Sequence, residues 1–129
     1  IAGAAAVQWN EFESNIMSLL PRPITANQSN TPIAIEIARA KVQIHYILNE
    51  CFVGQRDLIE EAKKLSEIPT TIIQGRYDMV CPPISAWELK NVLPQAKFEI
   101  IPDAGHSAME VGVTSALIEA TEAFKKSHH

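Results

Sequence analysis

The hydrophobic positions of this chain follow two different rhythms. Over residues 4–20, Val7, Phe12, Ile16, Leu19 and Leu20 recur at mixed three- and four-residue spacing, which predicts an amphipathic helix. Pro21-Arg-Pro23 stops it, and the polar stretch from Thr25 to Thr31 reads as a loop. A second helix opens at Thr31-Pro32, with Thr as cap and Pro in the first position. Its apolar face is Ile33, Ile37, Ala40, Ile44, Ile47 and Leu48, ending near Asn49. A third helix is predicted from Asp57 to Ser66, with Asp57 and Glu60 near its start and Lys63 and Lys64 near its end, as the helix dipole favours.

From Pro69 onward the rhythm changes. Thr70-Thr-Ile-Ile-Gln74 is a short β-branched run closed by Gly75, the pattern of a buried parallel strand. Pro82-Pro83 introduces a helix that runs to Leu93 and is stopped by Pro94. Lys97 to Ile101 is a second strand, ended by Pro102, and Val111 to Lys126 is a closing helix. Strand, helix, strand, helix is βαβα, and the right-handed crossover makes the two strands parallel neighbours. The fold class is therefore α/β: a helical segment over 1–67, then the edge of a parallel sheet over 68–129. Two strands alone leave an edge and a face open to solvent, so this reading expects further chain to complete the sheet.

Composition narrows the function classes. The 129 residues are 47% hydrophobic and 20% charged, which is globular rather than disordered. A net charge of −4 supplies no basic stripe for phosphates, so nucleic acid is not an expected partner. No apolar run approaches the length of a membrane span, so a membrane is not expected either. Ile1-Ala-Gly-Ala-Ala-Ala6 lacks an initiator Met and a basic flank, and reads as an internal cut in a longer polypeptide rather than a signal peptide. His128-His129 is either native or the stub of a purification tag. Cys51 and Cys81 form no CxxC pattern, which favours free thiols in a reducing compartment and a cytoplasmic location. There is no internal repeat or low-complexity segment.

The candidate chemistry lies just past the two strands. In open α/β sheets reactive groups collect at the carboxyl ends of the strands, and Asp78 sits just beyond the first. It suits either the acid of a triad, orienting an imidazole, or a plain helix cap and turn former. His106 follows the second strand through Pro102-Asp-Ala-Gly105, where the glycine permits a sharp turn. With one helix and one strand between them, Asp78 and His106 stand in the order in which an α/β-hydrolase presents its acid and then its base. That pairing favours catalysis over a surface histidine. Gly105-His-Ser-Ala-Met109 nearly matches the G-x-S-x-G nucleophile elbow, but Met109 replaces the second glycine and the motif falls on the last strand. Ser107 is therefore read as structural. Cys81 is a candidate pocket wall, since it has no basic neighbour to activate it as a nucleophile. His45, beside Tyr46, has no metal-type partner and reads as a helix-packing residue. Arg76-Tyr77 either contacts substrate or covers the sheet edge.

With these segments in place, the chain resembles the proline iminopeptidases of the α/β-hydrolase fold along its whole length. The phrases that carry the resemblance are Gly75-Arg-Tyr-Asp-Met-Val-Cys-Pro-Pro83, followed by Ser85-Ala-Trp87, and Pro102-Asp-Ala-Gly-His-Ser-Ala108. The resemblance implies a C-terminal part of such a hydrolase: the latter part of a helical cap over 1–67 and the last two core strands over 68–129. It implies removal of N-terminal proline from peptides through a serine acyl-enzyme, with no metal and no cofactor. Asp78 would be the triad acid and His106 the general base. Trp9-Asn-Glu-Phe-Glu13 looks like the cap's Trp-x-x-[aromatic]-Glu stretch, so Glu13 would meet the substrate's free amino terminus, a carboxylate for a cationic nitrogen. Cys81 matches a cysteine that lines the family's active site, so thiol reagents would block the intact enzyme.

Two departures qualify that picture. Gln43, close to His45-Tyr46, stands where the family usually has a second acid, which puts strict proline specificity in doubt. The Gly-rich oxyanion loop and the serine elbow are not in this sequence, so the expectation is an inactive chain that needs the N-terminal part of the hydrolase as its partner. The competing readings are an esterase-like α/β-hydrolase preferring neutral substrates and a non-catalytic interaction module. For the latter, open strand edges and apolar helix faces predict self-association.

Overall fold

A computed structural model describes residues 1–20 and 31–127. The proline stop at 21–23, the loop from Thr25 and the terminal His128-His129 lie outside the described residues. The described chain divides into two compact units. The first holds residues 1–15 and 31–56, the second residues 16–20 and 57–127.

The first unit is helical. Helix α1 spans Ala2–Ile16 and α2 spans Ile33–Leu48. Side-chain hydrogen bonds join them: Asn10 Nδ2 donates to the carbonyl and carboxylate of Glu36, Trp9 Nε1 donates to Gln43, and Gln43 Nε2 donates to Glu13. Of the expected stripe on α2, Ala40 is buried and Ile37 half-buried, while Ile33, Ile44, Ile47 and Leu48 are exposed. On α1 the buried positions are Ala6 and Asn10 rather than the expected stripe, and Phe12 is exposed. Ile37, Ala40, Lys41 and Ile44 face Ala2, Ala5, Ala6 and Trp9 around an apolar cavity of about 280 Å³.

The start of α2 differs from its sequence signal. The helix begins at Ile33, Pro32 occupies the cap position, and no side chain caps it. The Pro32 carbonyl instead accepts from the amides of Ile35 and Glu36, at 2.8 and 3.3 Å. Beyond α2 the chain makes a left-handed turn, with φ of 49°, 52° and 59° at Glu50, Cys51 and Phe52. The turn brings the Phe52 ring to 5.5 Å from His45 and 5.2 Å from Tyr46, so His45 packs locally.

The second unit carries the sheet. Helix α3, Leu58–Ala62, is capped by Asp57, whose carboxylate accepts from the amides of Ile59 and Glu60 at 3.0 and 3.1 Å. It tightens into a 3₁₀ turn over Lys63–Leu65. Strands β1, Thr71–Gly75, and β2, Lys97–Ile101, pair in parallel, from Thr71 opposite Lys97 to Gly75 opposite Ile101. Between them lies α4, Pro83–Val92, and after them α5, Val111–Ser127, both packing on β1. The first four residues of β1 are half-buried rather than buried. Its second edge carries no strand among the described residues, which leaves that side partly open.

The core gathers at the carboxyl ends of the strands. Ile101, Ala104, Val113 and Ala116 form it, with Ile73 against them. Leu93, 1% exposed, closes the end of α4. Helix α5 approaches β2 so closely that a Cβ on Gly112 would lie 2.6 Å from Ile101 Cγ2. The best-packed part of the unit thus underlies the two loops that leave these strands.

Candidate active site

Register brings the two loops together. Because Gly75 stands opposite Ile101, the chain leaves β1 and β2 side by side, and the ladder continues beyond the strands. Arg76 N–H donates to the Ile101 carbonyl and Tyr77 N–H to the Ala104 carbonyl, both at 2.9 Å. Arg76-Tyr77 therefore uses its backbone to stitch the aspartate loop to the histidine loop.

Asp78 is 7% exposed and its carboxylate is fully occupied. Oδ1 accepts from the amides of Val80 and Cys81, at 2.9 and 2.8 Å. Oδ2 accepts from Gln74 Nε2 at 3.1 Å and lies 2.9 Å from His106 Nδ1. Burial alone would raise the carboxyl pKa. The amide of Cys81, the His106 ring, the amide of Val80 and the charge on His106 together outweigh it and hold the pKa below the ordinary value. Asp78 is thus an anion at neutral pH and can only accept, which assigns the intervening proton to His106 Nδ1. The His106 side chain is 31% exposed. An imidazole held as the Nδ1–H tautomer keeps its Nε2 lone pair, which is what a general base requires.

The glycines act through close approach. A Cβ on Gly75 would lie 1.9 Å from the Gly105 carbonyl oxygen, so only glycine lets the end of β1 meet the histidine loop. The sequence assigns Gly105 a sharp turn, but among the described residues the one glycine with positive φ is Gly54. A Cβ on Gly105 would instead lie 3.0 Å from Leu19 N and 3.2 Å from Glu110 Oε1. The position needs a bare backbone because neighbours crowd it.

Several supporting residues had no sequence signal. Gln74, at the end of β1, donates through Nε2 to Asp78 and to the Cys81 carbonyl, at 3.1 Å each. The Met17 carbonyl accepts from the amides of His106 and Ser107 at 2.9 and 2.8 Å. Glu110 accepts from the Gly105 amide at 2.7 Å. Ser107 is 3% exposed and its Oγ accepts from the Met109 amide at 3.2 Å, within the turn into α5. Cys81 is exposed and enters the constellation through its backbone, at both its amide and its carbonyl.

Glu13 belongs to the first unit, where its Oε2 accepts from Gln43 Nε2 at 2.7 Å. Gln43 Oε1 in turn accepts from Trp9 Nε1 at 2.7 Å. Indole nitrogen can only donate, so Trp9 fixes which way the Gln43 amide faces, and its N–H₂ points at Glu13. Among the described residues no three His, Cys, Asp or Glu side chains gather as a metal site would require. No helix among them is long and apolar enough to cross a membrane.

Residues 14–113 match the family model described as alpha/beta hydrolase fold. The chain is 40% identical over 126 residues to a probable proline iminopeptidase of Leptolyngbya boryana, covering 96% of this chain and 39% of that protein. It is 39% identical over 124 residues to a proline iminopeptidase of Arabidopsis thaliana, covering 95% of this chain and 32% of the relative. With a proline iminopeptidase of Neisseria gonorrhoeae the identity is 32% over 120 residues, covering 92% and 37%. The chain thus spans between about a third and two fifths of the length of these curated relatives.

Proposed function

The chain belongs to the alpha/beta hydrolase fold family, and on that premise we propose that it is a C-terminal part of a serine aminopeptidase that releases N-terminal proline from peptides. The observation that carries the reading is the buried, anionic Asp78 bonded to His106 Nδ1 at 2.9 Å, in a chain similar to proline iminopeptidases. In this reading His106 Nε2 takes the proton of a serine hydroxyl as that oxygen attacks the prolyl carbonyl. Asp78 stabilises the imidazolium that results. The imidazolium then protonates the leaving amine, and water, deprotonated by the same nitrogen, frees proline from the acyl-enzyme. Glu13, oriented by Gln43, receives the cationic nitrogen of the substrate.

The 129 residues contain no G-x-S-x-G sequence. The nucleophile and oxyanion donors are accordingly assigned to the N-terminal part of the hydrolase, and this chain by itself is inactive. Cys81 lines the completed pocket, beside the Asp78 it holds. Gln43 supports a second reading: a neutral amide where an acid would strengthen amine recognition suits an esterase acting on uncharged substrates.

Proline arylamide, alanine arylamide and a p-nitrophenyl ester, offered to the chain before and after mixing with that N-terminal part, separate the two. Proline-selective hydrolysis that appears on mixing and disappears with His106→Ala supports the peptidase. Ester hydrolysis without arylamide turnover supports the esterase. A stable complex inert on all three substrates overturns both.

A further inference from the structure

The loop that carries His106 has an anchor to which the sequence pattern gives no clue. Three successive amides, of Gly105, His106 and Ser107, point to acceptors outside the loop's own turn. Gly105 N–H donates to Glu110 Oε1 at 2.7 Å, and the amides of His106 and Ser107 donate to the Met17 carbonyl. The second oxygen of Glu110 accepts from Leu19 N–H at 3.2 Å. One carboxylate therefore holds the residue before His106 and, with Met17, ties the 17–19 segment to the same loop.

Glu110 stands immediately before α5. An acid at that position is favoured by the helix dipole whatever else it does, so its presence alone says little. What distinguishes it is that both oxygens are committed to amides outside the helix. Gly105 is bare where a Cβ would lie 3.2 Å from Glu110 Oε1 and 3.0 Å from Leu19 N. Glycine and glutamate thus fit each other around the intervening His106-Ser107.

We infer that Glu110 is a positioning residue for His106: by fixing the Gly105 amide it sets the loop so that Nδ1–H stays on Asp78 and the ring keeps one tautomer. The Asp78–His106 bond crosses between two loops and depends on both being fixed to within fractions of an ångström. Asp78 is fixed by its own turn and by Gln74. His106 has no comparable local turn, and its place is set by the Met17 carbonyl and the Glu110 carboxylate. The catalytic meaning of this rests on the reading of His106 as the general base, whereas the structural claim does not.

The test is solution NMR of the full 129-residue chain, uniformly ¹⁵N-labelled. Ring nitrogen shifts at neutral pH give the His106 tautomer, and amide exchange is read at Gly105 and, as an internal control, through β1 and β2. Glu110→Asp keeps the negative charge at the start of α5 but draws the oxygens back from Gly105. Glu110→Gln keeps an acceptor of the same length without the charge. For Glu110→Asp and Glu110→Ala the expected result is a mixture with the Nε2–H tautomer and at least about tenfold faster exchange at Gly105, with strand amides unchanged. Glu110→Gln can keep its carbonyl on the Gly105 amide at the expense of Leu19 N–H, so both signals should fall closer to wild type than those of Glu110→Asp.

Wild-type tautomer and Gly105 exchange in Glu110→Asp, with the strands protected, overturn the inference. So does a Glu110→Gln variant as disturbed as Glu110→Asp, since the hydrogen bond to the Gly105 amide would then not be what sets the loop. If Glu110→Ala fails to fold, Glu110→Asp and Glu110→Gln decide the matter alone. Failure of the peptidase reading shows separately, as absent hydrolysis in the mixing experiment with this NMR result intact.

Discussion

At the scale of single residues, the decisive feature is how completely the Asp78 carboxylate is satisfied. Two amides, one side-chain amide and one imidazole surround it. In Asp78→Asn, one oxygen can still accept from Val80 and Cys81, but the new N–H₂ faces the donors of Gln74 and His106. We predict a loss of about 1–3 kcal/mol in urea unfolding, a His106 ring driven to the opposite tautomer, and a fall of about 10⁴ in turnover by the completed enzyme, the scale seen when a triad acid becomes an amide. The depressed pKa adds a pH signature. A carboxyl more acidic when folded than unfolded contributes stability above its ordinary pKa, near pH 4, and loses it as pH falls through the folded value. The urea midpoint of the wild type should therefore drop across that acid range more steeply than that of Asp78→Asn. Parallel curves for the two would contradict the assignment.

At the scale of elements, the strand ends and α5 are held at distances that leave no room for a methyl group. Gly75→Ala would drive Cβ to 1.9 Å from a backbone carbonyl, which no side-chain rotation relieves. We predict destabilisation of at least about 3 kcal/mol, the upper end for overpacking, measured as the shift in thermal midpoint together with loss of the His106–Asp78 signal. Gly112→Ala is a graded comparison. Alanine gains about 1 kcal/mol of helix propensity, but its Cβ meets Ile101 Cγ2 at 2.6 Å, a branched methyl that cannot swing aside. Overpacking costs about 1–3 kcal/mol, so the net change should be destabilising by roughly 1 kcal/mol. A stabilised Gly112→Ala would mean that α5 shifts freely on β2. The Asp57 cap of α3 is simpler: Asp57→Ala should cost about 1 kcal/mol, because two amides lose their acceptor.

At the scale of the whole molecule, what matters is how much apolar surface and strand edge stays exposed. Leu20, Leu48, Met79, Met109 and Val111 are each more than 70% exposed, and β1 has an edge without a strand among the described residues. Apolar side chains and unpaired strand groups on one chain favour association. Sedimentation of the isolated chain should show an average mass that rises above 14.2 kDa with concentration and returns toward a defined complex when the N-terminal part is added. A mass that stays at the monomer value throughout would count against sheet edges as the points of contact.

The order of elements was legible in the residues, because periodicity and the proline and glycine punctuation are local properties. Lys97–Ile101 was expected as a strand over those same residues, and the βαβ arrangement forces parallel neighbours by chirality alone. That pairing is also why Asp78 and His106, far apart in sequence, could be expected at adjacent strand ends. The helix faces are less legible: on α1 the buried positions are a small Ala6 and an Asn10 bonded to Glu36, neither of which marks a stripe of large apolar residues. The reason for glycine at 105 is not legible either, because crowding by a neighbouring segment leaves no trace in local sequence. Gln74, Met17 and Glu110 around the dyad, and the chain from Trp9 through Gln43 to Glu13, became visible only in three dimensions. Each acts through a few hydrogen bonds between groups distant in sequence or outside any repeating pattern, and no spacing encodes them. The sequence by itself determined which segments are strands and helices and that an acid and a histidine end adjacent strands. The tertiary structure decided which carboxylate oxygens, amides and carbonyls hold those two residues, because that depends on distances between segments that only packing sets.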